Sequence, residues 1–176
     1  VTWGASIPSG DTKDFAAGTS WRNFTIEYSN FFRSNASWGF SAGWNVFSDR
    51  VEDVTSSFEG IDISGTHVRY VNAFPLLATG RYYLVGGGRG GARRGSTGFW
   101  VGAGAGALIA ENRVDVGTIT AKETKWHLAV APEAGVSYGM SRDFALFGQA
   151  KWTYGFKSGD MAPSYFNFNV GVAWRN

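Results

Sequence analysis

Glu27, Arg69, Glu133 and Lys151 each lie in a stretch made mostly of small, aromatic and β-branched residues. Two carboxylates and two cations form a set that can neutralise itself, and the chemistry open to them is ion pairing. A charge taken out of water must find a partner of opposite sign or a hydrogen-bond donor. Gln149 and His127 share the polar face of the same stretches and complete a candidate polar network, with Asn45 and Asn167 as neighbours. Two readings follow: a polar filling that holds a narrow space shut, or a gated passage whose ion pairs separate to let solute through.

Other residue sets are weaker. His67 and His127 both open strand-like segments and share one parity, which would bring them close together at one rim. Two histidines without carboxylates at ligand spacing, in a chain with no Cys, make no metal centre, and no cofactor is expected. Neither His stands in a Ser-rich neighbourhood where it would activate a nucleophile, so no catalytic residue is assigned and the chain does not read as an enzyme. Gly86-x-Gly88-x-x-Gly91 imitates a dinucleotide-binding turn, but no helix follows whose N-terminus would receive a pyrophosphate. Arg89, Arg93 and Arg94 in the same Gly-rich stretch form a candidate docking site for a protein partner or for anionic groups. Asp49, Glu52, Asp53, Glu59 and Asp62 make one connection acidic, which reads as a solvated loop with divalent-ion binding as the alternative.

Period-two alternation is what must position these residues, because it puts i, i+2 and i+4 on one face of a strand. Trp38, Phe40, Ala42, Trp44 and Val46 alternate with Gly39, Ser41, Gly43 and Asn45. The division returns over 126–140, 146–154 and 166–174. Weaker copies lie at 1–7, 21–32, 67–84 and 99–110, which brings the strand count to eight. Connections alternate in length: 33–37 and 141–143 are short, while 8–19, 51–64, 112–125 and 157–164 are long. Only the Gly-rich 86–97 falls out of sequence, where a short turn is due. Pro75 and Pro132 lie inside strands and cannot donate to a ladder, so a β-bulge is expected near each. The segment 67–84 exceeds the roughly 9–11 residues that a tilted strand needs to cross a bilayer, so it either projects or changes phase.

The 176 residues suit a single domain, 1–176, of the all-β class. Gly is abundant at 25 residues and Cys is absent, which fits strands and excludes disulfides. The sequence holds no apolar run long enough for a transmembrane helix. Val1 opens directly on a strand-like segment, so the chain reads as mature or trimmed. A net charge of only +2, with Lys and Arg scattered among acids, offers no nucleic-acid surface.

A soluble eight-stranded barrel with an apolar interior would alternate in the same way. The polar face argues against it, because it carries Gly, Ser, Ala and Asn where a water-facing surface carries many charges. Small residues instead suit the inside of a narrow barrel whose greasy face meets lipid. Trp38, Phe99, Phe144 and Trp174 fall near the short-turn ends, and Trp126, Tyr154, Phe156 and Phe166 near the others, as two interfacial girdles. The fold expected is a transmembrane up-and-down antiparallel β-barrel of eight strands.

The segments FWVGAGAGALIA from Phe99, PEAGVSYGM from Pro132 and FNFNVGVAW from Phe166 resemble the small outer-membrane β-barrels of the OmpW, OmpX and OmpA-barrel kind. That resemblance implies an integral protein of the bacterial outer membrane with both termini in the periplasm. Its neighbours would be outer-membrane lipid and lipopolysaccharide. It also implies folding by the barrel-assembly machinery, which reads a terminal strand ending in an aromatic; Trp174 fits, although Arg175 and Asn176 follow it. The expected role is that of a structural or interaction protein, acting alone or within a larger membrane assembly through its loops and Arg-rich turn. The alternatives are a narrow passage for small apolar solutes, as the OmpW likeness would permit, and a lipid A hydrolase at the outer rim.

Overall fold

In the computed structural model the chain forms β1 (Thr2–Ser9), a short α1 (Gly10–Phe15), β2 (Ser20–Arg33), β3 (Ala36–Phe58) and β4 (Ile61–Val85). It continues with β5 (Thr97–Val116), β6 (Ile119–Gly139), β7 (Phe144–Gly155) and β8 (Pro163–Trp174). The structure describes residues 1–58, 61–86, 94–116, 119–141, 143–159 and 161–174, with backbone alone at 51–58, 61–67, 116 and 119. Each strand pairs antiparallel with the next, and β1 pairs with β8, which closes an eight-stranded barrel. Closure is what lipid demands, since an open edge would leave peptide groups unpaired in hydrocarbon.

The alternation in sequence becomes two faces. Along β8, Phe166, Phe168, Val170, Val172 and Trp174 are exposed, whereas Asn167 and Asn169 are buried. Trp38, Phe99, Phe144 and Trp174 stand outward at the short-turn end, and Trp126, Phe156 and Phe166 outward at the other, with Tyr154 half-buried beside Phe156. Near the long-loop end, Trp44 stacks on Phe74, and Phe74, Ile109 and Trp126 lie side by side in one register row. The next row reads Val46, Asn72, Glu111 and Thr124. The outer surface therefore turns from apolar to polar within one step of the pleat.

Beyond that row two expected loops are strands. Residues 51–64 and 112–125 belong largely to β3–β4 and β5–β6, whose 23, 25, 20 and 21 residues far exceed what a bilayer crossing requires. The four strands stay paired as a sheet that stands above the barrel, so β4 projects and keeps its phase there. The polar, turn-like composition of these segments masked their strand character, because a two-sided solvated ribbon has no apolar face to show.

No bulge accompanies either proline. Pro75 pairs in register with Leu108, and Pro132 with Ala103. On the opposite side of each strand the ladder simply lacks partners for a few residues and resumes in the same register. One missing donor is tolerated there without an inserted residue. Register shifts occur instead between Gly4 and Ser6 of β1, Phe31 and Arg33 of β2, Val51 and Val54 of β3, and Tyr83 and Val85 of β4.

Ala105, exposed on the outer face midway along β5, is predicted to tolerate charge far worse than Thr124, which lies in the first polar row. Ala105→Arg should destabilise the barrel by about 2–4 kcal/mol and Thr124→Arg by no more than about 1 kcal/mol, measured by denaturant unfolding in vesicles. Equal losses would place the apolar boundary elsewhere.

Candidate functional site

Four strands each send one charged side chain into the barrel: Glu27 from β2, Arg81 from β4, Glu133 from β6 and Lys151 from β7. The Arg81 Nη2 donates to Glu27 Oε2 at 2.6 Å and its Nε to Glu133 Oε1 at 2.7 Å. Lys151 Nζ lies 2.9 Å from Glu27 Oε1 and 3.1 Å from Glu133 Oε2. The contacts form a closed cycle in which carboxylate and cation alternate, and the charges cancel. Gln149 Nε2 adds a hydrogen bond to Glu27 at 3.2 Å. All four charged side chains are less than a tenth exposed, so their partners must offset the water each has lost.

Two glycines make this geometry fit in a narrow barrel. Gly102 sits in register between Arg81 and Glu133, and a Cβ there would lie 2.9 Å from Arg81 Cγ. The absent side chain lets Arg81 reach across β5 to Glu133. Gly135 plays the same part for Trp100, whose ring a Cβ at that position would strike. Trp100 is buried with its ring centroid 4.2 Å from the Arg81 guanidinium carbon, a cation–π contact next to the charge cycle.

Toward the long-loop end lies a layer of amides. Asn167 Nδ2 donates to Asn45 Oδ1 at 2.9 Å, Ser6 Oγ donates to the same oxygen at 3.0 Å, and Asn45 Nδ2 reaches the Tyr165 hydroxyl at 3.3 Å. Above the amides is an apolar cluster that includes Phe47, Val71, Leu108 and Tyr165, with Phe15 of the β1–β2 connection packed against it. This connection turns inward. Asp11 Oδ2 accepts from the Ala162 amide at 2.8 Å and Thr12 Oγ1 from the Ser164 amide at 2.9 Å, which ties α1 to the start of β8.

Of the sequence-derived network, Glu27, Glu133, Lys151 and Gln149 are brought together. Arg69 is not among them: its guanidinium carbon lies 5.6 Å from the Phe15 ring centroid, near the inturned connection. Arg81 takes its place. Both arginines share the inward parity of β4, and depth separates them, since only Arg81 stands level with Glu133 across Gly102. Counting residues back from the turn ends of β4 and β6 would have found it. His127 is buried apart from the cycle, with Nδ1 3.0 Å from the Phe156 carbonyl oxygen. It is also far from His67, because His127 pairs with Leu108 opposite Pro75, while His67 pairs with Val116. The offset along the strands is on the order of 25 Å, which removes the expected proximity.

Among the described residues no group of three or more His, Cys, Asp or Glu could hold a metal ion. Arg94 is exposed, whereas Arg89, Arg93, Gly88 and Gly91 lie outside the described residues. In the acidic connection, Asp49 Oδ2 accepts from the Ala17 amide at 3.3 Å. Glu59 is outside the described residues, as are the side chains of Glu52, Asp53 and Asp62. On the outer face of the projecting sheet, Lys122 pairs with Glu111 at 2.8 Å and Arg113 with Asp115 at 2.8 Å. A hydrogen bond from Arg113, then one from the Thr120 hydroxyl, holds the Asp115 carboxyl below its usual range. That contact is present at neutral pH and is lost as pH falls through the lowered value.

Neither a family model nor a curated protein sequence matches the chain. Its shape, however, matches solved structures along almost its full length. Neisserial surface protein A superposes with a TM-score of 0.56 at 14% identity, covering 99% of this chain and 94% of that one. Ail, the attachment invasion locus protein of Yersinia pestis, solved in complex with the heparin analogue sucrose octasulfate, superposes with a TM-score of 0.53 at 12% identity, covering 99% and 95%. The likeness is one of fold. The chain thus has the architecture of the small eight-stranded outer-membrane barrels.

Arg81→Met leaves Glu27 and Glu133 with Lys151 as their one remaining cation, and should cost about 3–5 kcal/mol of stability. Arg69→Met should cost under about 1 kcal/mol, because among the described residues its one recorded contact is with the Phe15 ring. Denaturant unfolding of both variants in detergent micelles checks the ranking, and an Arg69 effect as large as that of Arg81 would contradict it.

Proposed function

We propose that this protein is an integral barrel of the bacterial outer membrane whose filled interior does not conduct, and which acts by contact through the sheet projecting from its long-loop end. The observation that carries this reading is the contrast between the two parts. Inside, the self-neutralising charge cycle, the amide layer and the apolar cluster follow one another along the bore. Outside, β3 to β6 continue beyond the aromatic rows as an ordered four-stranded sheet.

The projecting sheet suits a protein partner. Beyond Leu128, β6 is paired with β5 but has no ladder partner from β7 among the described residues, and past Lys125 and His127, which meet the β7–β8 connection, the edge of 120–124 is left without a neighbouring strand. A bare strand edge accepts an extended segment of another chain through main-chain hydrogen bonds. Ail was solved with a sulfated glycan analogue, but here Arg113, Lys122 and Lys125 each already face a carboxylate. That pairing favours a polypeptide over a polyanion. The reading includes no catalytic step, since His127 is turned inward and bound to a carbonyl.

The full chain in planar bilayers should be electrically silent, and reproducible discrete openings would replace this reading with the narrow passage. Bacteria displaying the intact chain should also attach to a cultured-cell monolayer more than bacteria displaying a chain whose residues 113–122 are replaced by a two-residue turn. Equal attachment would remove the projecting sheet from the proposal.

A further inference from the structure

The layer of amides in the bore carries more hydrogen-bonding groups than it uses. Asn23 of β2 and Asn169 of β8 reach each other across β1, over Gly4, which pairs in register with both. A Cβ at Gly4 would lie 2.7 Å from Asn169 Oδ1, so the missing side chain makes room for the contact. One bond joins the two amides, from Asn23 Nδ2 to Asn169 Oδ1. It leaves Asn23 Oδ1 and Asn169 Nδ2 without a partner among the described residues. Turning both amides over exchanges their roles but still leaves one carbonyl oxygen and one NH2 group unpaired. Two residues earlier on β8, Asn167 gives its Nδ2 to Asn45, and its Oδ1 is likewise unpaired among the described residues.

Asn23, Asn167 and Asn169 are 1%, 3% and 2% exposed, so bulk water does not reach these atoms. Neither neighbouring layer completes them. On one side, Glu27 already accepts from Arg81, Lys151 and Gln149. On the other, the apolar cluster offers the Tyr165 hydroxyl, which Asn45 Nδ2 engages. A buried amide group in such surroundings is costly until something bonds to it.

We infer that the amide layer is a binding site for water, held at the seam where the last strand meets the first. The unpaired set combines carbonyl oxygens with an NH2 group, so its ligand must both donate and accept. A cation would satisfy the oxygens and leave the amide nitrogen bare, and an anion would do the reverse. Water does both, adds no charge to a bore whose charges already cancel, and makes about three bonds at a typical buried site. Asn167 and Asn169 share one face of β8, roughly 7 Å apart along the strand, a spacing that suits a bridge through water. Such water links the Asn23–Asn169 pair to the Asn45–Asn167 pair. It thereby ties β2, β3 and β8 together across β1, whose own ladder with β2 is short and shifts register beside Gly4. With the charge cycle on one side and Phe15 over the apolar cluster on the other, this water leaves only when the bore or its wall opens. It therefore tumbles with the protein.

The test is nuclear magnetic resonance of the intact, isotope-labelled protein in deuterated detergent micelles. Water should give cross-peaks to the Nδ2 protons of Asn169 that are opposite in sign between laboratory-frame and rotating-frame Overhauser spectra, which marks bound water as distinct from proton exchange. Asn30, which is exposed, should give no such peak. Asn23→Leu with Asn169→Leu removes both unpaired groups of one amide pair and should lower the number of long-lived waters counted by magnetic relaxation dispersion. Absence of the water cross-peak at Asn169 overturns the site, and so does an undiminished water count in the folded double variant. Should that variant not fold, the spectra of the unaltered protein decide alone.

Discussion

A peptide group in hydrocarbon has no water to turn to, and this need for internal pairing shapes the molecule. It forces the strands to close, with β1 on β8, and closure of so few strands fixes a narrow bore. A narrow bore cannot hold loose water around isolated charges, so any ionised group inside must meet its opposite directly. The alternating cycle of Glu27, Arg81, Glu133 and Lys151 satisfies that demand, and glycines at 102 and 135 supply the room that the longest side chains need.

Much of the frame was legible because lipid and bore impose opposite chemistry on successive residues. Trp38 to Asn45 and Phe166 to Trp174 declare their faces without help from anything distant. The interior was legible in parity but not in depth. Arg69 and Arg81 stand on the same face of the same strand, and only the register between β4, β5 and β6 decides which of them meets Glu133. Trp100 was hidden for a related reason. A large aromatic in a membrane strand suggests the lipid face, and its inward position depends on the empty place at Gly135 in a neighbouring strand. The bulges expected at Pro75 and Pro132 fail because a missing donor need not be offset by an extra residue.

The projecting sheet was illegible for the opposite reason. Above the last aromatic row both faces of β3 to β6 meet polar surroundings, so alternation fades just where the strands continue. Lys122 with Glu111, between strands, and Thr120 with Asp115, across a turn, are contacts that hold those strands in register. The two ends of the barrel differ in kind. One is a sheet on which Arg113, Lys122 and Lys125 each meet a carboxylate, and the other is a set of turns where Arg33 and Arg94 are exposed.

The inturned connection after β1 bears on the order of assembly. Ser9, Asp11 and Thr12 bond to Ala162 and Ser164, residues more than 150 positions later in the chain. Contacts of such long range form only after the chain between them is in place. A chain emerging strand by strand can complete the hairpins from β2 onward while its first connection still hangs free. Seating of Phe15 over the apolar cluster then coincides with the meeting of first strand and last, so that the mouth shuts in the same step that completes the wall.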